Sequence, residues 1–280
     1  MRGTAIKEKV TMKRRQFLGS AFAAGIAGAQ NSPTKKQQEN TPAHKAKVTK
    51  LFKAPDPNPN ALEATGEGLW IGDQVTERAC LVDWKSGKLI RALQTESHNT
   101  SGMAVGGGYL WLAANGGVSN RRPPRPTDKP AGEIFQADLK TGKTVKIHSL
   151  PWGGGIHGMV WSEPTRTLWV TSLSINALSE LDPKNDLKIL RQIPVRYSRA
   201  HGLEIDNGAI WCVFSNEREI QKLDMKTGKV LEIVTLTKDD PTPHGMCRHE
   251  GHFYCCDAGF EPQQSEIASP HAGYISRADF

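Results

Sequence analysis

Three histidines share a neighbour and a spacing. His157, His201 and His244 each stand directly before a glycine, at intervals of 44 and 43 residues. Neutral imidazole nitrogens bind divalent metals and accept protons near neutral pH. Three of them gathered in one place would hold one divalent metal ion, or hold an anionic substrate while one acts as general base. His201 and His244 are assigned catalytic roles, together with Asp257, which follows Tyr254-Cys255-Cys256. Asp257 would orient a histidine or complete a coordination sphere; it equally fits a turn cap.

Residues this far apart in the chain meet only if a repeating unit carries them. One pattern recurs: a Gly-containing apolar segment, an aromatic-centred strand, a strand ending in Asp, a Lys-Thr-Gly-Lys type of turn, and a last alternating strand. The aromatic markers Trp70, Trp111, Trp169, Trp211 and Tyr254 are spaced 41, 58, 42 and 43 residues apart. The long interval contains an insertion, Gly116 to Gly132, with Arg121-Arg122-Pro123-Pro124-Arg125-Pro126 at its centre. Four short strands repeating about every 40 to 45 residues predict propeller blades, since helical solenoids of that period need i, i+3, i+4 apolar spacing. Asp83 to Lys88, Asp138 to Lys143 and Asp224 to Lys229 mark the hairpins between third and fourth strands, where glycine supplies positive φ. The fifth copy ends at its third strand, so Lys47 to Phe52 is assigned as its missing fourth. The predicted fold is all-β: a five-bladed β-propeller of four-stranded antiparallel blades over residues 46–280, closed by an N-terminal strand that completes the last blade and removes a sheet edge.

In such a ring the first strand of each blade is innermost, so the three histidines would line one rim of the central channel. In the second blade the matching position is Ser101, with His98 three residues earlier. His98, Asn115, Asn216 and Glu217 are assigned to substrate binding; Asp73 follows a second strand in the same way. Trp152, in a Gly-rich loop directly before His157, suits stacking on a ring-shaped ligand such as a sugar. The arginine- and proline-rich insertion reads as a solvated loop able to cover the same mouth.

The N-terminus carries a different message. Lys13-Arg14-Arg15-Gln16-Phe17-Leu18 followed by an Ala/Gly-rich apolar stretch resembles a twin-arginine signal peptide, with cleavage after Ala29. Residues 30–45 read as a disordered linker, and export to the periplasm or beyond follows. Residues 1–29 hold six basic residues and one acidic, so the net charge of +7 falls to +2 for the remainder, and no nucleic-acid partner is indicated. No apolar run has the length of a membrane span. Five cysteines without a CxxC pair argue against a zinc ribbon. They leave open a Cys247–Cys255 or Cys247–Cys256 bridge or simply small buried side chains.

The segment His201 to Trp211, continuing to Asp224-Met225-Lys226-Thr227-Gly228-Lys229-Val230, resembles the repeats of plant-type glutamine cyclotransferases. The resemblance implies five blades and conversion of N-terminal glutamine to pyroglutamate. The openings Pro243-His244-Gly245-Met246 and Ala200-His201-Gly202-Leu203 resemble repeats of the streptogramin (virginiamycin B) lyases. That family is seven-bladed and implies a His/Glu site with a divalent metal that breaks an ester by elimination. Neither family's catalytic segment is matched: Leu62-Glu63-Ala64-Thr65-Gly66 meets the first only loosely, and the strands ending Thr171-Ser172 and Phe214-Ser215 lack the second's Trp-Phe-Thr-Glu. The function expected is a metal- or histidine-assisted lyase or hydrolase acting on a small molecule, ester or saccharide. The alternative is a non-catalytic propeller that binds a ligand or protein.

Overall fold

The computed structural model describes residues 41–117, 121–261 and 264–280. The proposed signal peptide, 1–29, lies outside them. Five four-stranded antiparallel sheets form the five blades. Blade 1 is β3 (Pro59–Thr65), β4 (Gly68–Asp73), β5 (Arg78–Val82) and β6 (Leu89–Gln94). Blade 2 is β7 (Thr100–Gly106), β8 (Tyr109–Ala114), β9 (Glu133–Asp138) and β10 (Thr144–Ser149). Blade 3 is β11 (Met159–Ser162), β12 (Thr167–Ser172), β13 (Ala177–Asp182) and β14 (Lys188–Pro194). Blade 4 is β15 (Ala200–Asp206), β16 (Ala209–Phe214), β17 (Glu219–Asp224) and β18 (Val230–Thr235). Blade 5 takes β19 (Met246–His249), β20 (His252–Cys256) and β23 (Tyr274–Asp279) from the C-terminus, and β2 (Lys47–Lys53) from the N-terminal side. The short strands β21 (Phe260–Glu261) and β22 (Gln264–Ala268) pair with each other between β20 and β23.

Closure follows the sequence reading: β2 pairs antiparallel with β23, Lys47 opposite Asp279 and Lys53 opposite Tyr274. The linker expectation needs correction at its end. Ala43–Lys45 form a strand, β1, that adds in parallel to the outer edge of β18 in blade 4. One short segment thereby caps one blade edge and completes the next blade, which hides backbone groups that would otherwise stand unpaired.

The aromatic markers fill the cores between blades. Trp70, Trp111, Trp169, Trp211 and Tyr254 are all buried on the second strands. The hairpins behave as their residues dictate. Asp83, Asp138 and Asp224 each accept the N–H three residues on, and Gly87, Gly142 and Gly228 take positive φ. Blade 3 lacks the glycine and instead turns through a short 3-10 segment, Pro183–Asn185, ended by Asp186 in the left-handed region. All five cysteines are buried free thiols, so neither bridge forms.

The innermost strands meet in cyclic order, β3 to β7 to β11 to β15 to β19 and back to β3. A glycine at the same position permits four of these five approaches, and blade 1 carries Ala61 there. A Cβ on Gly102 would overlap the carbonyl oxygen of His157, and one on Gly158 that of His201. On Gly202 it would lie 2.7 Å from the His244 oxygen, and on Gly245 2.8 Å from Ala61 Cα. The glycine after each histidine is therefore demanded by backbone contact between blades. The passage left between them encloses only about 10 Å³, room for roughly one water. The passage is too narrow for a small-molecule ligand, which would meet the ring at a mouth.

Toward the other end of the inner strands, Glu204 Oε2 accepts the Arg248 N–H of the next blade at 3.0 Å. Burial pushes its carboxyl up to about 7, and burial together with the charge of Glu204 pushes Glu63 well above the usual range. An acid whose folded pKa is raised costs stability as pH climbs from the unfolded value to the folded one, because the native state holds the proton the unfolded state has released. Between pH 4.5 and 7 Glu204 therefore subtracts stability. Glu204→Gln keeps an acceptor for Arg248, and is expected to gain up to about 2 kcal/mol over the parent at pH 8 and nothing at pH 4. Urea melts at the two pH values check this; an equal difference at both would refute it.

Candidate functional site

Each blade's inner strand starts on the same rim, and the loops between second and third strands end there too. Position by position the rim presents Asn60, Ser101, His157, His201 and His244, all buried. The three histidines stand in direct contact. The ring centroids of His157 and His201 are 4.0 Å apart, and those of His201 and His244 4.7 Å. His157 Nδ1 lies 2.7 Å from His201 Nε2, and His244 Nδ1 donates to the Thr242 carbonyl at 3.0 Å. Arg199 Nε–H also points at His201 Nε2, at 3.3 Å. An arginine nitrogen can only donate, so His201 Nε2 carries a lone pair and the neutral His201 ring its proton on Nδ1; His157 Nδ1, which also lies 3.2 Å from that Nδ1, either donates to Nε2 or accepts from Nδ1. His244, neutral and protonated on Nδ1, is left with an unprotonated Nε2.

Burial first, and the positive charge of Arg199 with the neighbouring imidazoles second, hold these groups in the neutral form. His157 and His244 are pushed down to about 3 and His201 well below its usual value. The sign is that of a base losing its proton on folding, so the trio favours the native state more strongly as pH rises from about 3 to 6.5.

The three imidazoles are gathered but are not posed around a common point. Nitrogens bound to one ion at about 2.1 Å stand about 3.3 Å apart around a common centre. Here His157 and His201 nitrogens face each other at 2.7 Å, while the Nδ1–Thr242 hydrogen bond leaves His244 Nε2 as its ligand-binding nitrogen. Among the described residues no group of three or more His, Cys, Asp or Glu is arranged to hold a metal ion.

Asp257 does not touch a histidine. Fully buried, it accepts the Thr242 N–H at 3.0 Å, the Ser269 hydroxyl at 2.7 Å and the Gly259 N–H at 2.7 Å. Thr242 thereby links Asp257, through its N–H, to His244, through its carbonyl, and Asp257 caps its own turn through Gly259. Asp73 caps its own turn through Val75 and Thr76. Asn115 accepts the Ile156 N–H at 3.0 Å and so fixes the Gly-rich loop before His157. Trp152, in that loop, packs against the hydrophobic cluster containing Leu150, Ile156 and Met159. His98 is paired with Glu133 at 3.1 Å, outside the trio. Asn216 and Glu217 lie in the blade 4 loop on the same rim. Burial raises Glu217, which feels Arg199 without an ion-pair contact.

The insertion is anchored across the rim. Arg122 bridges Asp128 and Glu77 of blade 1, and Arg125 reaches the same Glu77. Arg121 donates to the Ala258 carbonyl of blade 5. From blade 2 the insertion therefore reaches blades 1 and 5 on the histidine side. Sequence reasoning missed Arg199, Asn60 and this clamp. Arg199 was signalled by period: two residues before His201 on extended chain, it shares that side chain's face.

These features define a five-bladed propeller whose narrow channel opens on a histidine-lined rim. Among solved structures, the chain is similar to the glutaminyl cyclase of Myxococcus xanthus over 86% of its length and 98% of that chain, at 11% identity and a TM-score of 0.63. It is similar to a luciferin-regenerating enzyme over 84% of this chain and 95% of that one (14% identity, TM-score 0.53). A streptogramin B lyase matches over 84% and 97% (14% identity, TM-score 0.50). Such likenesses show the fold. No family model and no curated protein matches the sequence.

Proposed function

We propose that this protein is an exported, histidine-assisted lyase or hydrolase acting on a small molecule, ester or saccharide at the channel mouth. The observation that carries the reading is the contact of His157, His201 and His244, from three adjacent blades, with an unprotonated Nε2 left on His244 by its hydrogen bond to Thr242. A substrate O–H, N–H or acidified C–H placed against the His244 Nε2 lone pair gives up its proton there, with His201 packed against the ring that takes it. Thr242 keeps His244 in the required tautomer, and Asp257 holds the Thr242 N–H. The step as written is carried by the imidazoles alone. Export rests on the twin-arginine pattern of residues 13–18.

The test is turnover of a panel holding an N-terminal glutaminyl peptide, a cyclic peptide lactone, an aryl ester and an aryl glycoside, after chelation. These classes follow from the fold's company, which includes a glutaminyl cyclase and a streptogramin B lyase. His244→Asn is expected to lower kcat/KM on the accepted class about 100-fold or more. Turnover unchanged by His244→Asn and His157→Asn would refute the reading. One observation favours the non-catalytic alternative: imidazoles held near 3 are weak bases until something offsets the positive charge beside them.

A further inference from the structure

Arg199 is the cation of this mouth, and its surroundings are unlike those of other inward-turned arginines here. Arg78, Arg122, Arg191 and Arg248 each pair with a carboxylate. Arg199, half-buried one residue before β15, has no ion pair among the described residues; its Nε donates to His201 Nε2, a neutral acceptor. Taking a guanidinium partly out of water without a direct ion-pair partner is costly, and the cost is recovered when an anion seats on it. The insertion brings a second positive charge, Arg121, close enough that the two repel. The carboxylate that acts on Arg199 is Glu217, which lies near enough to feel its charge but forms no ion pair with it.

We propose that Arg199 anchors a carboxylate-bearing small molecule at the mouth, its guanidinium seating the carboxylate beside His201. This rests on the reading of the histidine rim as a ligand site, and it names the class of ligand. A guanidinium presents paired N–H donors that match the two oxygens of a carboxylate, which a lysine cannot reproduce. The anchored anion also supplies what the trio lacks. Arg199 is a shared cause of the depressed basicity of His157, His201 and His244. A carboxylate on Arg199 cancels that field, so the ligand raises the basicity of the imidazoles that would act on it.

The experiment is a calorimetric titration of the full protein with malonate and with its neutral diamide, at pH 7 and constant ionic strength. Malonate is expected to bind and the diamide not to bind. Arg199→Gln should weaken malonate at least about tenfold, and Arg199→Lys should fall between the two. Arg166→Gln, on an exposed turn at the opposite end of blade 3 and paired with Glu163, should leave binding unchanged. Equal melting temperatures for the arginine variants and the parent exclude loss by unfolding; if Arg199→Gln does not fold, the malonate-against-diamide contrast in the parent decides. Malonate that binds Arg199→Gln as it binds the parent, or binds neither, overturns the anchor. The two readings fail separately: histidine-dependent turnover with Arg199-independent anion binding sinks only the anchor, and Arg199-dependent binding without turnover of any panel member sinks only catalysis.

Discussion

Gly158→Ala is expected to destabilise the protein by about 3 kcal/mol or more, or to leave it unable to accumulate in folded form, although it adds a single methyl group. The methyl would occupy the space of the His201 carbonyl oxygen, a backbone atom of the adjacent inner strand that has no rotamer to change. Relief requires moving β11 away from β15, and the ring shares that displacement among all five inner strands. The same shift separates His157 from His201. The comparison is Gly208→Ala, at a hairpin with φ of +78° and open space around it. There the cost is the left-handed conformation alone, about 1 to 2 kcal/mol. Urea unfolding of both variants checks the difference, and a Gly158→Ala protein within 1 kcal/mol of the parent would show that the inner strands are not packed at backbone contact.

The second large effect concerns closure. Deleting residues 41–53 removes β1 and β2 together, strips the outer strand from blade 5 and uncovers the edge of β23. It also removes Val48 and Phe52, which pack against the cores on either side of that blade. The expected result is loss of a cooperative thermal transition and association through the bared edge. Because Lys47 lies opposite Asp279 in an antiparallel pair, the segment 47–53 can be moved to follow Phe280 through a short turn. That permuted chain is expected to regain a cooperative melt. A deletion variant that melts like the parent would show that the ring does not depend on its N-terminal strand.

The architecture was legible because a propeller writes its repeat openly. One aromatic per second strand, an Asp-x-Lys-Thr-Gly-Lys turn and a fifth copy one strand short were enough to set five blades and their closure. The meeting of three histidines was legible for the same reason, since equal positions in a closed repeat share a rim. What the repeat does not encode was missed. Arg199 belongs to one blade, Asn60 replaces histidine in another, and β1 rests on three residues of a polar stretch. The contacts of Asp257 were out of reach as well, because they join segments separated by β20 and the β21–β22 hairpin. Chemistry by residue type suggested a metal; which nitrogens face one another depends on ring orientation, and spacing carries no information on that.

The central claim is that His157, His201 and His244 form one neutral, hydrogen-bonded unit that answers to a ligand at the mouth. Long-range nitrogen–proton NMR of histidine-labelled protein, followed from pH 5 to 8 with and without malonate, tests it most directly. The account predicts three imidazoles that stay neutral across this range, one of them fixed with its proton on Nδ1 by Thr242, and that move together when malonate is added. Three imidazoles that each titrate near 6.5 and ignore malonate would contradict it.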